Sequence, residues 1–144
     1  MVSANATQRS AAARFSLVVA LRVAHALAPK RMLSKRYRFH SRGGVRHTYQ
    51  HGKTIRDSKI SLVFASNARN KQRYGVVVSK KVLKSAVGRN RIRRRVYEAI
   101  RAELPNIQKP VDCIFIVYTK EIGVIDFKEL RSLIHDLLIE AKII

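Results

Sequence analysis

A single cysteine, Cys113, rules out an intrachain disulfide, and nothing in the composition points to an oxidising compartment. It sits in the apolar run Val111 to Tyr118 without an evident activating base, so it reads as a small buried hydrophobe. No apolar run approaches the roughly 18 to 20 residues that a membrane-spanning helix requires. Enzyme motifs are missing too: there is no Gly-rich phosphate loop, no Gly-x-Ser-x-Gly and no cysteine pair for zinc. His47 and His51 have a spacing that suits a metal on a helix, but no third ligand is in view. They are read as exposed polar or RNA-facing side chains.

Acidic residues are the scarcest class relative to their opposites. Nine Asp and Glu stand against 30 Lys and Arg, a formal charge of +21. The first acidic residue is Asp57, so residues 1–56 carry 12 basic side chains and residues 57–144 carry 18 basic and nine acidic ones. Such a surplus repels itself unless a polyanion neutralises it, which favours RNA as the partner over a merely soluble basic domain.

The 144 residues leave room for one compact domain and an appendage. Residues 1–31, rich in Ala, Ser and Arg, read as a basic extension, disordered or outside the core. An amphipathic targeting peptide is a competing reading, although Arg22 interrupts what would be the apolar region of a secretory signal. A start codon upstream of Met32 would also explain the segment. The domain pattern begins after Met32 and runs to Ile144.

Within it, Arg42 to His51 predicts a short helix that sets Val45 and Tyr49 one turn apart, beside Arg42 and Arg46, and that stops at Gly52. Ile60 to Ala65 and Tyr74 to Ser79 predict strands, joined by the polar turn Ser66 to Arg73 and expected to form an antiparallel pair. A helix from Val87 or Gly88 to Glu103 would bury Ile92, Val96, Ala99 and Ile100 and turn Asn90, Arg94, Tyr97 and Arg101 outward. Val111 to Tyr118 predicts a central strand covered on both sides. The last helix starts near Asp126 as its cap, with Glu129 as capping-box partner, and buries Phe127, Leu130, Ile134, Leu137, Leu138 and Ala141. One sheet with helices packed on it satisfies this order.

The basic segments carry the functional signal. Lys80, Lys81 and Lys84 precede a stretch from Arg89 to Arg95 with five arginines in seven residues. Guanidinium groups fork onto phosphate oxygens, and a helix start favours an anion. Like charges this dense repel along a helix, which argues against a purely structural role.

Two spaced elements then make a resemblance specific. Arg73-Tyr74-Gly75-Val76-Val77-Val78-Ser79-Lys80-Lys81 followed by Gly88-Arg89-Asn90-Arg91-Ile92-Arg93-Arg94 resembles the signature of the protein subunit of bacterial ribonuclease P. Leu33 to Phe39, His51-Gly52-Lys53 and Asp112 to Val117 resemble that family's opening segment, first-helix end and last strand. The likeness spans Met32 to Ile144.

This resemblance implies an α/β two-layer sandwich, a small ribosomal-protein-like RNA-binding domain with order αβββαβα and a left-handed βαβ crossover. It further implies a subunit of a ribonucleoprotein endonuclease, a hydrolase, whose RNA component requires Mg²⁺ and removes the 5′ leader of precursor tRNA. The protein itself would hold no tight cofactor or metal, supply no catalytic residue and need no obligate protein partner or membrane, and it would reside in the cytoplasm. Lys80, Lys81, Lys84, Arg89, Asn90, Arg91, Arg93, Arg94 and Arg95 would bind the catalytic RNA. Phe39, Arg42, Val45, Arg46, Tyr49, Lys53, Tyr74 and Val76 would face the leader.

The first helix departs from the family, which presents an acidic residue and phenylalanine, then a second phenylalanine one turn later. Here those places hold Gly44-Val45 and Tyr49, so stacking on a base rests on Tyr49. Two alternatives compete with the family reading: a ribosomal structural protein binding folded rRNA, and a stand-alone nuclease with converging carboxylates.

Overall fold

The computed structural model describes residues 32–144, and the expectations for residues 1–31 lie outside the described residues. In chain order the elements are α1 (Arg42–His51), β1 (Lys53–Arg56), β2 (Ile60–Ser66), β3 (Arg73–Val78), α2 (Ala86–Glu103), β4 (Val111–Val117) and α3 (Phe127–Glu140). The strands form one mixed sheet in the order β1-β2-β4-β3. β2 pairs antiparallel with both β1 and β4, and β3 pairs parallel with β4.

The expected antiparallel pairing of β2 with β3 is therefore not formed, because β4 lies between them. Its apolar run can be covered on both faces, which suits the central place, whereas β3 carries the exposed Val77 and takes an edge. Parallel neighbours need a long crossover, and α2 supplies it. β1 is the strand that the family order αβββαβα supplies and the residue pattern does not, since four residues with Lys53 and Arg56 at their ends give too little apolar alternation.

Strand alternation divides the sheet into two faces. Leu62, Phe115 and Val76 stand in one row and pack with Ile92, Val96, Ile100, Leu130, Ile134 and Leu138 of α2 and α3. Val63, Ile114 and Gly75, one residue along, belong to the opposite face, where α1 sits. The helices thus occupy both faces, and α1 adds a partial third layer to the expected two-layer arrangement.

The helix starts have local causes. The Ser41 hydroxyl accepts from the Gly44 amide at 3.4 Å, and the Ser85 hydroxyl accepts from the Gly88 amide at 3.2 Å, so α2 begins slightly earlier than its pattern suggests. Asp126 caps α3 by accepting from the Lys128 amide at 3.2 Å. Glu129 does not close a capping box; it accepts from Lys59 Nζ at 3.2 Å instead.

A buried carboxylate fastens α2 to α3. Glu103 accepts from Arg131 Nε at 2.7 Å, His135 Nδ1 at 2.9 Å and Asn106 Nδ2 at 3.0 Å. Burial alone would raise its pKa, but these hydrogen bonds outweigh burial and hold it below the ordinary glutamate value. A depressed acid contributes stability that is complete above the unfolded pKa and is lost as pH falls through the lower folded value. Glu103→Ala should cost about 3 kcal/mol in urea unfolding at neutral pH, the lower end for a broken buried pair because Arg131 and His135 are partly exposed. The deficit should shrink below about pH 4. A pH-independent deficit would count against the ion-pair origin.

Candidate nucleic-acid interface

Helix α2 sorts its arginines by angle. Arg91 and Arg94 are exposed with Asn90 and border a shallow depression beside the exposed Val87. Arg89 and Arg95, three residues before and after the buried Ile92, stand about 60° to either side of it at 100° per residue. Both turn inward. Arg89 Nη1 donates to the Leu83 and Lys84 carbonyls at 2.9 and 2.6 Å. Arg95 donates to the Gly123 carbonyl at 2.5 Å and to that of Ile125. These two arginines brace the loops on either side of α2, so the outward-facing set contracts to Asn90, Arg91 and Arg94, with Arg93 half-buried near Tyr97. Lys80, Lys81 and Lys84 are exposed between β3 and α2.

On the other face of the sheet, Phe39 is laid against β3. Its amide donates to the Tyr74 carbonyl at 3.3 Å, and a Cβ placed at Gly75 would come within 3.2 Å of its ring. Glycine at 75 therefore seats the aromatic. The Arg73 guanidinium lies 4.9 Å from the centre of that ring and binds Asp112 through both Nε (2.8 Å) and Nη2 (2.5 Å). A Cβ at Gly44 would meet Arg73 Nη1 at 2.9 Å. The residue that departs from the family pattern thus makes room for a guanidinium locked by a buried carboxylate.

Phe39, Arg42, Val45, Arg46 and Tyr49 line one groove along α1. Val45 is half-buried, Tyr49 is 43% exposed, and Lys53 is exposed at the start of β1. Tyr74 and Val76 do not join them. Strand parity turns both toward α2 and α3, where they are buried, and burial drives the Tyr74 phenol far above its ordinary pKa. Their neighbours Arg73, Gly75 and Val77 occupy the α1 side instead.

Parity also exposes a residue that the sequence reading passed over. Tyr118 follows β4, is 47% exposed, and its hydroxyl accepts from that of the buried Ser61 at 2.9 Å. The Tyr49 phenol is shifted upward first by partial burial and then by Tyr118 nearby. Counting alternate residues from the buried Val117 would have placed Tyr118 on this face.

The metal and nuclease readings find no support in the geometry. His47 and His51 stack with ring centres 4.6 Å apart, and among the described residues no three His, Cys, Asp or Glu side chains gather into a donor set. Cys113 is buried, which pushes its thiol pKa well upward.

A mixed sheet with a basic helix over one face and an aromatic-lined groove on the other defines a small RNA-binding α/β protein. Within that class the ribonuclease P family model matches residues 33–142, and the chain belongs to this family, whose protein component is an RNA-binding subunit in tRNA 5′ maturation. It is 34% identical over 112 residues to the ribonuclease P protein component of Roseiflexus castenholzii, covering 78% of this chain and 91% of that protein. The counterpart in Clostridium botulinum is 37% identical over 99 residues, 68% of this chain and 87% of its own. The solved RNase P protein from Thermotoga maritima superposes with a TM-score of 0.64 at 28% identity, over 72% of this chain and 96% of that one. Family membership sets aside the ribosomal-protein alternative.

Proposed function

We propose that the chain is the accessory subunit of a cytoplasmic ribonucleoprotein hydrolase in which a catalytic RNA, with Mg²⁺, cuts precursor tRNA. The protein holds that RNA through Arg91, Arg94, Asn90 and the lysines before α2, and it holds the single-stranded 5′ leader along Phe39, Val45, Tyr49 and Tyr118. The observation that carries this reading is the separation of two surfaces. Exposed guanidinium groups on α2 suit phosphates, whereas the aromatic groove on the opposite sheet face suits unpaired bases. The β3-α2-β4 crossover is proposed to be left-handed, against the usual preference; the family resemblance supports that hand.

Tyr49→Ala tests the leader assignment. Loss of one stacking plane is worth roughly 1 to 3 kcal/mol, so the holoenzyme's affinity for precursor tRNA should fall about 5- to 150-fold. Assembly and affinity for mature tRNA, which has no leader, should stay unchanged. Equal weakening of both substrates at one fixed salt and Mg²⁺ concentration would reject the assignment.

A further inference from the structure

A second groove, of about 1040 Å³, opens at the beginning of β3. One wall is the segment from Arg36 to Ser41, the other the β2–β3 loop from Arg69 to Arg73. Its lining contains six basic side chains (Arg36, Arg38, His40, Arg69, Lys71 and Arg73) and no acidic one.

Both walls are held in place by hydrogen bonds. In the loop, Asn67 Oδ1 accepts from the Arg69 amide at 3.1 Å, while its Nδ2 donates to the Lys71 carbonyl at 2.7 Å and to Asp112 Oδ1 at 2.8 Å. Gln72 Nε2 donates to the Ile107 carbonyl at 2.6 Å. Asn70 sits at the tip with φ 52°, a left-handed turn that asparagine tolerates. Facing it, a short 3₁₀ turn spans Lys35–Tyr37, and Arg38 is tied by its Nε and Nη2 to the Leu33 carbonyl at 2.8 and 2.5 Å.

The cations divide accordingly. Arg38 and Arg73 are engaged within the protein, Arg73 by Asp112. Arg69 and Lys71 are exposed, and no protein acceptor engages their side chains among the described residues. A loop tied by hydrogen bonds thus presents two cations that no protein acceptor engages among the described residues.

The groove is continuous with the leader surface, since His40 and Ser41 line both. A strand passing Tyr49 and Val45 and leaving at the start of α1 would enter it. Apart from the rings of Tyr37 and His40 the lining offers no aromatic platform, and basic side chains contact phosphates irrespective of base.

We propose that this groove holds the phosphates of leader nucleotides distal to those at Tyr49, so that longer leaders bind more tightly whatever their distal sequence. The inference rests on the leader assignment made above. It is tested with holoenzyme assembled from full-length protein, using precursor tRNAs that carry a short leader or one extended by several nucleotides. Wild type should gain about fivefold in affinity on extension, as two exposed phosphate contacts would give. Arg69→Ala combined with Lys71→Ala should abolish that gain and leave short-leader affinity and assembly unchanged. The salt dependence of long-leader binding should flatten by roughly 1.4 in log–log slope, two single-strand phosphate contacts. Arg69→Gln with Lys71→Gln, which keeps side-chain length, should behave alike and so exclude a folding defect. Absence of a length gain in wild type would overturn the proposal. So would an equal loss on short and long leaders, or weakened assembly, which would assign the groove to the catalytic RNA. A parallel Tyr49→Ala arm keeps the two readings apart: it should lower short-leader affinity while preserving the length gain.

Discussion

Purified protein supplied with Mg²⁺ should leave precursor tRNA intact, and addition of the catalytic RNA should restore release of the leader. Among the described residues no three His, Cys, Asp or Glu side chains gather into a metal donor set, and most of the buried or hydrogen-bonded ones are engaged elsewhere. Glu103 and Asp112 are buried in hydrogen-bonded pairs with arginine. Glu121 and Glu129 lie within 3.8 and 3.2 Å of Lys59, and Asp126 caps α3. His135 binds Glu103, and His40 Nε2 lies 2.6 Å from the Lys35 carbonyl. Hydrolysis of a phosphodiester by a protein needs carboxylates converging on a metal or a base within reach of the attacking water. Cleavage that follows the RNA-free protein through successive purification steps, and vanishes on substitution of one of its own residues, would overturn the subunit reading.

The double replacement of Arg91 and Arg94 by Ala should weaken assembly with the catalytic RNA by about 150-fold, the equivalent of two charge-assisted hydrogen bonds at the lower end of their range. The log–log slope of binding against salt should become shallower by about 1.4 to 1.8. Folding stability should change by less than about 0.5 kcal/mol, since both side chains point into solvent. Arg89→Ala and Arg95→Ala should behave in the opposite way. Each leaves two backbone carbonyls without their donor and should lower stability by about 1 to 2 kcal/mol, with a smaller effect on assembly. Titration of labelled catalytic RNA at several salt concentrations, alongside urea unfolding of the protein, separates the two pairs. Unchanged assembly in the Arg91 and Arg94 variant would reject α2 as the contact surface.

Much of this division was legible in the sequence and some of it was not. The helical period identified Ile92, Val96, Ala99 and Ile100 as core, as found, because α2 has one apolar stripe and no competing pattern. The same period contained the inward turn of Arg89 and Arg95, yet their partners come from loops whose path no periodicity specifies. Tyr74 and Val76 were assigned to the leader through the family signature alone; alternation along β3 separates them from Gly75 and Val77 by a half-period. The neighbours of β3 lay beyond reach, since apolar content says that β4 is central without saying which strands flank it. The groove beside the β2–β3 loop depends on Asn67 and Asp112, 45 residues apart, and a link of that kind is visible only once the chain is folded.

The insertion of β4 between β2 and β3 also has a kinetic side. The sheet's central strand is the last one to be synthesised, so while the ribosome makes residues 79–110 the inner edges of β2 and β3 have no partner. Neither edge is closed until Val117 has emerged, and α2 lacks Cys113, Phe115 and Val117 of its apolar seat before then. Parallel pairing closed by a long crossover is a slow, non-local event. Closure of the sheet is therefore a late event, and until then the nascent chain carries strand edges open to pairing with other chains. The formal charge of +21 sets repulsion between copies against such pairing.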